Sequence, residues 1–299
     1  MTGEGGAARR RAGLLFAFGS AAGYGINIVS AQIAGQAGLN GTLIVFYRVF
    51  VMLALAVAAG LVLRASLEVP RREWPAMALF GLATTGVGAG YLSSVAYVPV
   101  SVAAVVFDTY PVIVVLTEPL LGRGVRPERI AIALAAFAGV ALVVGPDWHG
   151  LDPRGLALAF IASLSAVVQF YSAAAMDRTS TPAKVIWSHL LVLPVTAIIL
   201  TSFGGMVPPQ ALLLAPWAVA ITIAGYVLAF LFQLLALARI APGPAALAFC
   251  AEPVIALLVA AVVLGERLGP SQYLGCGIVL AALVANVILE QKSARLAPA

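Results

Sequence analysis

Ten long apolar stretches, separated by short polar segments, constrain this chain more than any other feature. A segment needs about 20 mostly apolar residues to cross the hydrocarbon core of a bilayer as a helix. We expect spans at about residues 13–34, 41–63, 75–96, 100–121, 130–146, 155–176, 183–203, 211–238, 243–264 and 271–290. Only 10% of the residues are charged, whereas about a quarter are charged in soluble domains. The sequence therefore predicts an all-α integral membrane protein with ten transmembrane helices.

The second half of the chain repeats the pattern of the first half at a distance of 142 residues. The matching pairs are Ala96/Ala238, Ala103/Ala245, Ala104/Ala246, Phe107/Phe249, Pro111/Pro253, Val112/Val254, Ile113/Ile255 and Leu116/Leu258, then, after a one-residue shift, Gly122/Gly265 and Pro127/Pro270. Ten helices in two copies give five helices per copy, and an odd number places the second copy upside down. We therefore expect two inverted five-helix repeats, residues 1–148 and 149–299, an architecture that recurs in secondary transporters.

The lysine and arginine residues predict the orientation, because positively charged loops stay on the cytoplasmic side. With both termini inside, only Arg48, Arg154 and Arg267 of the 17 basic residues lie outside the cytoplasmic segments. We expect a multi-pass protein of a bacterial-type cytoplasmic (inner) membrane. The net charge of +5 does not indicate nucleic-acid binding, because the basic residues lie between apolar spans and are not clustered on a folded face.

Two segments carry a resemblance to a known family. They are ALARIAPGPAALAFCAEPVIALLVAAVVLGERLGPSQYLG, from Ala236 to Gly275, and the weaker first-half copy GYLSSVAYVPVSVAAVVFDTYPVIVVLTEPLLGRGVRP. Together they resemble the EamA-type domain of the drug/metabolite transporter superfamily, in two tandem copies. The mid-helix proline and the Leu-Gly-Glu-x-Leu ending at Leu264 to Leu268 are the more specific parts. The resemblance implies a ten-helix inner-membrane carrier, commonly an exporter of amino acids or related metabolites.

Two prolines at matched positions, Pro111 and Pro253, fall near the middle of the fourth and ninth spans. Each removes one backbone donor and releases the carbonyl four residues earlier, at Phe107 and Phe249. Freed backbone groups at this depth need neighbouring helices or a water-lined cavity. A packed kink without a ligand and a binding site near the midplane both fit this pattern, and the duplication favours a site.

Ionisable residues inside the spans are the strongest candidates for function, because burying a charge in a bilayer is costly. Arg48, Asp108 and Glu252 lie well within spans and carry a summed formal charge of −1. The leftover carboxylate could carry a proton, or one carboxyl could simply be neutral through desolvation. For Glu118 we expect contact with the interface or with Arg123, and for His189 a satisfied position at the cytoplasmic interface. These two are interpreted as structural.

Further polar residues at the same depth complete the predicted site. Binding pockets combine an apolar or aromatic lining with a few polar groups, although a single tyrosine is more often a packing residue. The candidates are Tyr24 and Asn27 in the first span, Tyr110 beside Pro111, Gln169 in the sixth span and Tyr226 in the eighth. With Arg48, Asp108, Pro111, Glu252 and Pro253, they form the expected substrate-binding or coupling set.

The sequence gives no indication of a cofactor, a metal site or a catalytic centre. Cys250 and Cys276 both lie in apolar runs, which indicates packing rather than a disulfide or metal cluster. No phosphate-binding loop or nucleophile with an obvious base is present. We expect a transporter of a small molecule, with protons as a further candidate ligand; a channel and, less favoured, an intramembrane enzyme are the alternatives. Monomer and homodimer both stay open.

Overall fold

The computed structural model describes residues 3–121, 126–145, 149, 151–204 and 208–296. Within these ranges the chain is helical and contains no strand. The helices are α1 (Gly3–Gln36), α2 (Gly41–Val62), α3 (Trp74–Ser94), α4 (Val100–Phe107), α5 (Tyr110–Thr117), α6 (Pro127–Val144), α7 (Pro153–Ala175), α8 (Thr181–Ile199), α9 (Pro216–Leu237), α10 (Pro242–Phe249), α11 (Ala251–Val263) and α12 (Pro270–Leu296). Short 3-10 turns and one π-helical turn, at Leu200–Gly204, lie between them.

The ten predicted spans are confirmed, since ten helical stretches are long and apolar enough to cross a membrane. The fourth and ninth spans each consist of two helices, α4 with α5 and α10 with α11. The fifth span, predicted as the shortest, is a complete helix, Pro127–Val144. The eighth begins at Pro216 rather than near residue 211, because Pro209–Leu214 forms a 3-10 turn. The expected boundary between the two halves, near residue 148, lies outside the described residues and stays a proposal.

Local sequence explains where many of these helices begin. Proline occupies the first turn of several helices, where its missing N–H has no intrahelical partner to lose. Asn40 caps α2 with its side-chain oxygen, which accepts the Thr42 N–H at 2.8 Å. At the end of α6, Gly145 adopts a left-handed conformation with φ of 57°, which glycine reaches without strain.

Helix packing follows the two-repeat symmetry. α1 packs along α9, and their counterparts in the other half, α7 and α3, pack together in the same way. α6 and α12, the last helices of the two repeats, pack against each other, and a Cβ on Gly275 would lie 2.7 Å from the Gly139 carbonyl. Ten crossings bring the start of α1 and the end of α12 to the same end of the bundle, which we call the termini end. The fold is therefore an inverted pair of five-helix units.

The fourth and ninth spans are both interrupted at the positions where their prolines predict kinks. α4 ends at Phe107 and α5 begins at Tyr110, while α10 ends at Phe249 and α11 begins at Ala251. Since Pro111 and Pro253 have no N–H to offer the preceding turn, the helix cannot run through unbroken. The two breaks divide each span into a half near the termini end, α5 or α10, and a half near the opposite end, α4 or α11.

The halves pack unequally at the two ends of the bundle. At the termini end α5 packs against α10, with Val115, Ala133 and Leu247 in one buried cluster. The symmetry-related pair at the opposite end, α4 and α11, is fully described and has no comparable packing. The bundle is therefore closed between these helices at the termini end and separated between them at the other.

Candidate functional site

Arg48 on α2 lies inside the bundle, against the facing helix α9. Its guanidinium carbon is 4.6 Å from the centre of the Tyr226 ring, in a cation–π arrangement. Arg48 Nη1 donates to Asn27 Oδ1 at 3.2 Å, and Asn27 Nδ2 in turn donates to the Thr222 carbonyl. The Nε of Arg48 is buried and has no hydrogen-bond partner among the described residues. One donor of the cation is therefore available to a ligand.

His189 on α8 belongs to the same polar region. Its side chain is fully buried and both ring nitrogens have hydrogen-bonding neighbours, so the expectation of a satisfied histidine is confirmed, while its depth relative to the membrane interface stays a prediction. Nδ1 lies 2.9 Å from the Val185 carbonyl and Nε2 lies 3.1 Å from the Tyr226 hydroxyl. With Nδ1 as the donor, Nε2 accepts from Tyr226. The histidine thereby orients the side chain of Tyr226, and the Arg48 guanidinium packs over the ring of that tyrosine.

A chain of buried amides and hydroxyls crosses the bundle beside this region. Tyr24 donates to Gln233 Oε1 at 3.2 Å, Gln233 Nε2 donates to Gln169 Oε1 at 3.0 Å, and Gln169 Nε2 donates to Thr84 Oγ1 at 3.0 Å. Its members come from α1, α9, α7 and α3, two helices from each repeat. Both polar atoms of the Gln169 amide are hydrogen-bonded to other side chains, Oε1 to Gln233 and Nε2 to Thr84. A role of Gln169 in ligand binding therefore stays a prediction.

Asp108 and Glu252 lie at the two helix breaks. Asp108 follows the last residue of α4, and Glu252 is in the first turn of α11. They are close enough to interact electrostatically with each other and with Tyr91, Tyr110 and Cys250. Both side chains are partly exposed. Neither carboxyl group has a hydrogen bond or an ion pair within the described ranges. Two carboxyl groups without partners thus face the space between spans 4 and 9.

Aromatic rings form a continuous wall that runs from Phe107 on α4 to Tyr24 on α1. The Phe107 and Tyr110 ring centres are 5.3 Å apart, and Tyr110 lies 5.4 Å from Phe170. Phe170 packs edge-on against Phe249 at 5.3 Å, and Phe249 lies 6.2 Å from Tyr24. The two residues that match in the repeats, Phe107 and Phe249, both belong to this wall. The wall gives the site the apolar and aromatic lining that small-molecule pockets have.

The structure divides the predicted site into a cationic and an anionic part. Arg48, Asn27 and Tyr226 form the first, while Asp108, Tyr110 and Glu252 form the second, with Pro111 and Pro253 at the adjoining breaks. Tyr24 lies near enough to both Arg48 and Glu252 to interact with each electrostatically. No ion pair joins Arg48 to either carboxyl group in the described part of the chain. Arg48 therefore does not neutralise Asp108 or Glu252 by direct contact.

Glu118 is buried among neighbouring helices at the termini end. Arg123, one expected partner, lies outside the described residues, and the expected position at the interface stays a prediction. Arg129 Nη1 donates to Glu118 Oε2 at 2.8 Å, a partner that was not expected. The pair forms because α6 packs alongside α5.

No group of three or more metal-binding side chains occurs in the ranges that the structure describes. Cys250 and Cys276 are free thiols, the first buried and the second partly buried. The donors that face the site are a guanidinium, phenols and amides, and its acceptors are two carboxyl groups. Such a set suits a small organic molecule that carries charges of both signs, or a proton.

The family model for EamA-like transporters matches the chain twice, at residues 11–145 and 153–288. The chain belongs to the EamA-like transporter family. The resemblance seen in the repeated segments is thereby confirmed, and so is the membrane transporter it implies, a multi-pass protein with a small-molecule substrate. The two matches correspond to the two halves of the inverted fold.

Relatives of known function are more distant. The chain is 24% identical over 222 residues to the threonine/homoserine exporter RhtA of Escherichia coli strain K12, covering 73% of this chain and 72% of that protein. The same exporter from strains O6:H1 and O157:H7 matches equally. A solved crystal structure superposes with a TM-score of 0.80 at 21% identity, over 95% of this chain and 99% of the other. That likeness shows that this EamA-like protein shares the fold.

Two residues of the polar network, Gln233 and Thr84, were missed by reasoning from the sequence; they complete the amide chain. His189 was singled out, but its contact with Tyr226 was not expected. Gln233 stands alone in the apolar run of α9, so a buried amide in a long hydrophobic stretch was the available signal. Thr84 offered none, since threonine commonly bonds back to its own helix, as it also does here through the Phe80 carbonyl.

Proposed function

We propose that the protein is a secondary transporter of the cytoplasmic (inner) membrane that exports amino acids or related small metabolites. The observation that carries the proposal is that an EamA-like fold holds two carboxyl groups, Asp108 and Glu252, without a partner among the described residues, and the cation Arg48, which makes no ion pair with either of them there. The exporter RhtA handles threonine and homoserine, and both molecules carry an ammonium and a carboxylate group. A site with both charges complements such a molecule.

In this proposal the substrate binds where the repeats meet. Its carboxylate group lies at Arg48, whose Nε is free to donate. Its ammonium group lies at Asp108 and Glu252, or, as the alternative, Glu252 exchanges a proton during the transport cycle. Alternating access then consists of closing α4 against α11 while α5 separates from α10. The rocking of inverted repeats about a central site is the general mechanism of such carriers.

The packing asymmetry supports this cycle. The two repeats are built alike, yet α5 and α10 pack together while α4 and α11 do not. An assembly with exact two-fold symmetry would pack equally at both ends. A carrier in one of its two alternating states, which the pseudo-two-fold axis relates to each other, would not. The separated end is the opposite end from the termini, and it faces outward in the predicted orientation.

The experiment that tests the proposed substrate class is uptake and efflux by proteoliposomes against a panel of amino acids and metabolites. The panel is run with and without a proton gradient. Saturable movement of amino acids supports the proposal, and stimulation by the gradient assigns proton coupling. Passage of an inorganic ion at channel rates favours a pore, and movement of none of the amino acids contradicts the substrate class.

The orientation predicts that both termini lie in the cytoplasm. A C-terminal alkaline phosphatase fusion should be inactive, because the enzyme matures only outside the cytoplasm, and a C-terminal fluorescent protein fusion should be bright. Fusions after Asp152, in the loop before α7, should give the reverse pattern and serve as the internal control. An active phosphatase at the C-terminus would refute the orientation.

The helix breaks predict that Pro111→Ala and Pro253→Ala lower transport more than they lower the yield of folded protein. Alanine restores a backbone donor and favours a straight helix at the site. Transport rate and folded yield by size-exclusion chromatography are the measurements. Pro194→Ala is the matched control, since Pro194 lies inside α8 on an exposed face away from the site. Unchanged transport in both site variants would leave the prolines as packing features only.

A further inference from the structure

A second group of buried charges lies at the termini end, apart from the central site. Arg129 donates through Nη1 to Glu118 at 2.8 Å and through Nη2 to Glu290. All three residues are at most 8% exposed. Glu118 directly follows α5, Arg129 is in the first turn of α6, and Glu290 is in the last part of α12. The cluster therefore ties both repeats together at the end where the bundle is closed.

The carboxyl group of Glu118 also touches α10, the helix that closes against α5. An added Cβ on Gly243, in the first turn of α10, would lie 2.4 Å from Glu118 Oε1 and 2.8 Å from its carboxyl carbon. Only glycine permits this approach. The neighbouring Asn286 of α12 holds the same turn through a hydrogen bond to the Pro244 carbonyl at 3.2 Å. The Glu118 side chain thus packs between the first repeat and the first turn of α10.

The cluster is also incompletely satisfied. Four buried side-chain atoms lack a hydrogen-bond partner among the described residues, and Glu118 Oε1, Arg129 Nε and Asn286 Oδ1 are three of them. Leaving such atoms unpaired in a buried site destabilises the arrangement that contains them. When the helices separate, water can enter and hydrogen-bond to these atoms, which offsets part of the cost of breaking the contact. The contact is therefore suited to helices that separate during a transport cycle.

At the opposite end, the positions equivalent to Glu118, Arg129 and Gly243 carry no charge, and Asp147, which corresponds to Glu290, lies outside the described residues. Glu118 corresponds to Ala260, or to Ala261 with the one-residue shift, Arg129 corresponds to Gln272, and Gly243 corresponds to Ser101. Gln272 accepts the Gly269 N–H at 2.8 Å and donates to the Val143 carbonyl of α6 at 3.3 Å, so it makes a neutral contact between the repeats. Among the described residues, the charged contact and the closed packing occur at the same end.

We propose that Glu118, held in place by Arg129 and Glu290, is the latch that closes the termini end of the transporter by docking against Gly243 of α10. The latch biases the carrier toward the state open at the opposite end. The inference rests on the proposed alternating access, since a latch has a function only if α5 and α10 separate during the cycle. Glu118 acts as a positioning residue and does not touch the substrate.

Two variants weaken the latch in different ways. Gly243→Ala keeps every charge, but its added Cβ would occupy the position of the Glu118 carboxyl group and displace it from the contact with α10. Glu118→Gln keeps the side-chain shape and removes its charge. Gly277→Ala on α12 is the matched glycine control, because nothing lies within 4 Å of the Cβ it would add. Gln272→Ala controls for loss of the equivalent polar residue at the opposite end.

The readout is labelling of single cysteines by an impermeant maleimide, in full-length protein with Cys250→Ala and Cys276→Ala. Leu247→Cys, at a side chain only 1% exposed between α5 and α10, reports opening of the termini end in inside-out vesicles. Tyr91→Cys, at a partly exposed side chain beside Phe107, reports the opposite end in cells. Thermal unfolding of each variant is measured in parallel.

We expect the latch variants to raise Leu247→Cys labelling about tenfold, which corresponds to about 1.4 kcal/mol, and to lower Tyr91→Cys labelling. The controls should change neither rate. Unchanged labelling at Leu247→Cys in both latch variants would overturn the proposal. Increased labelling at both reporters with a lower Tm would also overturn it, because that pattern indicates loosened packing. Opposed changes in a protein that moves no amino acid would uphold the latch and refute only the proposed substrate.

Discussion

Glu252→Gln is expected to abolish proton-driven accumulation of substrate or to weaken substrate binding by a factor of about 10–150. The substitution keeps the size and hydrogen-bonding capacity of the side chain but removes its ability to ionise. If Glu252 carries the coupling proton, exchange of substrate for substrate should continue while accumulation is lost. If Glu252 binds the ammonium group, binding should weaken by about 1.5–3 kcal/mol, the range for a hydrogen bond to a charged group.

Analogue substrates separate these two roles. A substrate without its ammonium group, such as the corresponding 2-hydroxy acid, should bind wild type and Glu252→Gln equally if the role is amine recognition. Glu128→Gln is the matched control, because Glu128 lies exposed in the first turn of α6. Wild-type accumulation, exchange and affinity in Glu252→Gln would contradict both roles. Glu252 would then be a structural residue of the helix break.

Arg48→Met is expected to weaken binding of a substrate that carries a carboxylate group by about tenfold or more. Methionine preserves much of the apolar length of the side chain but removes the charge and the free Nε donor, and loss of one charge-assisted hydrogen bond corresponds to about 1.5–3 kcal/mol. The measurement is affinity for an amino acid and for its methyl ester, which lacks the carboxylate. The ester should bind wild type and Arg48→Met alike.

Two further variants sharpen the role of Arg48. Arg48→Lys keeps the charge but loses the planar group that stacks on Tyr226, so partial loss of affinity is expected. Arg72→Met, in the exposed turn before α3, is the control for removal of a positive charge. Equal losses of affinity for the acid and the ester in Arg48→Met would contradict carboxylate binding. They would indicate that Arg48 supports the fold through Asn27 and Tyr226.

Span positions and the repeat could be predicted from the sequence because they depend on local composition. Crossing a bilayer requires a minimum apolar length, so hydropathy alone locates the ten spans. Most of their boundaries agree within a few residues, but α1 begins at Gly3, well before the expected start near residue 13. The interruptions at Pro111 and Pro253 were also predictable, since proline lacks the backbone donor that a continuous helix needs. The 3-10 turn at Pro209–Leu214 was not, because its composition is as apolar as that of a span.

The contacts of individual charges could not be predicted, because they depend on how each helix is rotated against its neighbours. The sequence identified Arg48, Asp108 and Glu252 as a set, yet Arg48 packs on α9 and lies apart from both carboxyl groups. Glu118 pairs with Arg129, which lies on the other side of the loop between α5 and α6. Arg129 also pairs with Glu290 on the last helix. Such long-range pairs leave no local pattern in a single sequence.

The most direct test of the account is substrate counterflow in proteoliposomes that contain the purified protein. Vesicles loaded with a high concentration of unlabelled amino acid are diluted into a trace of the same labelled molecule, without any ion gradient. A carrier with a central site exposed to one side at a time should accumulate the label transiently above its external concentration. We expect this overshoot with wild type and its loss in Arg48→Met; simple equilibration without an overshoot would contradict alternating access.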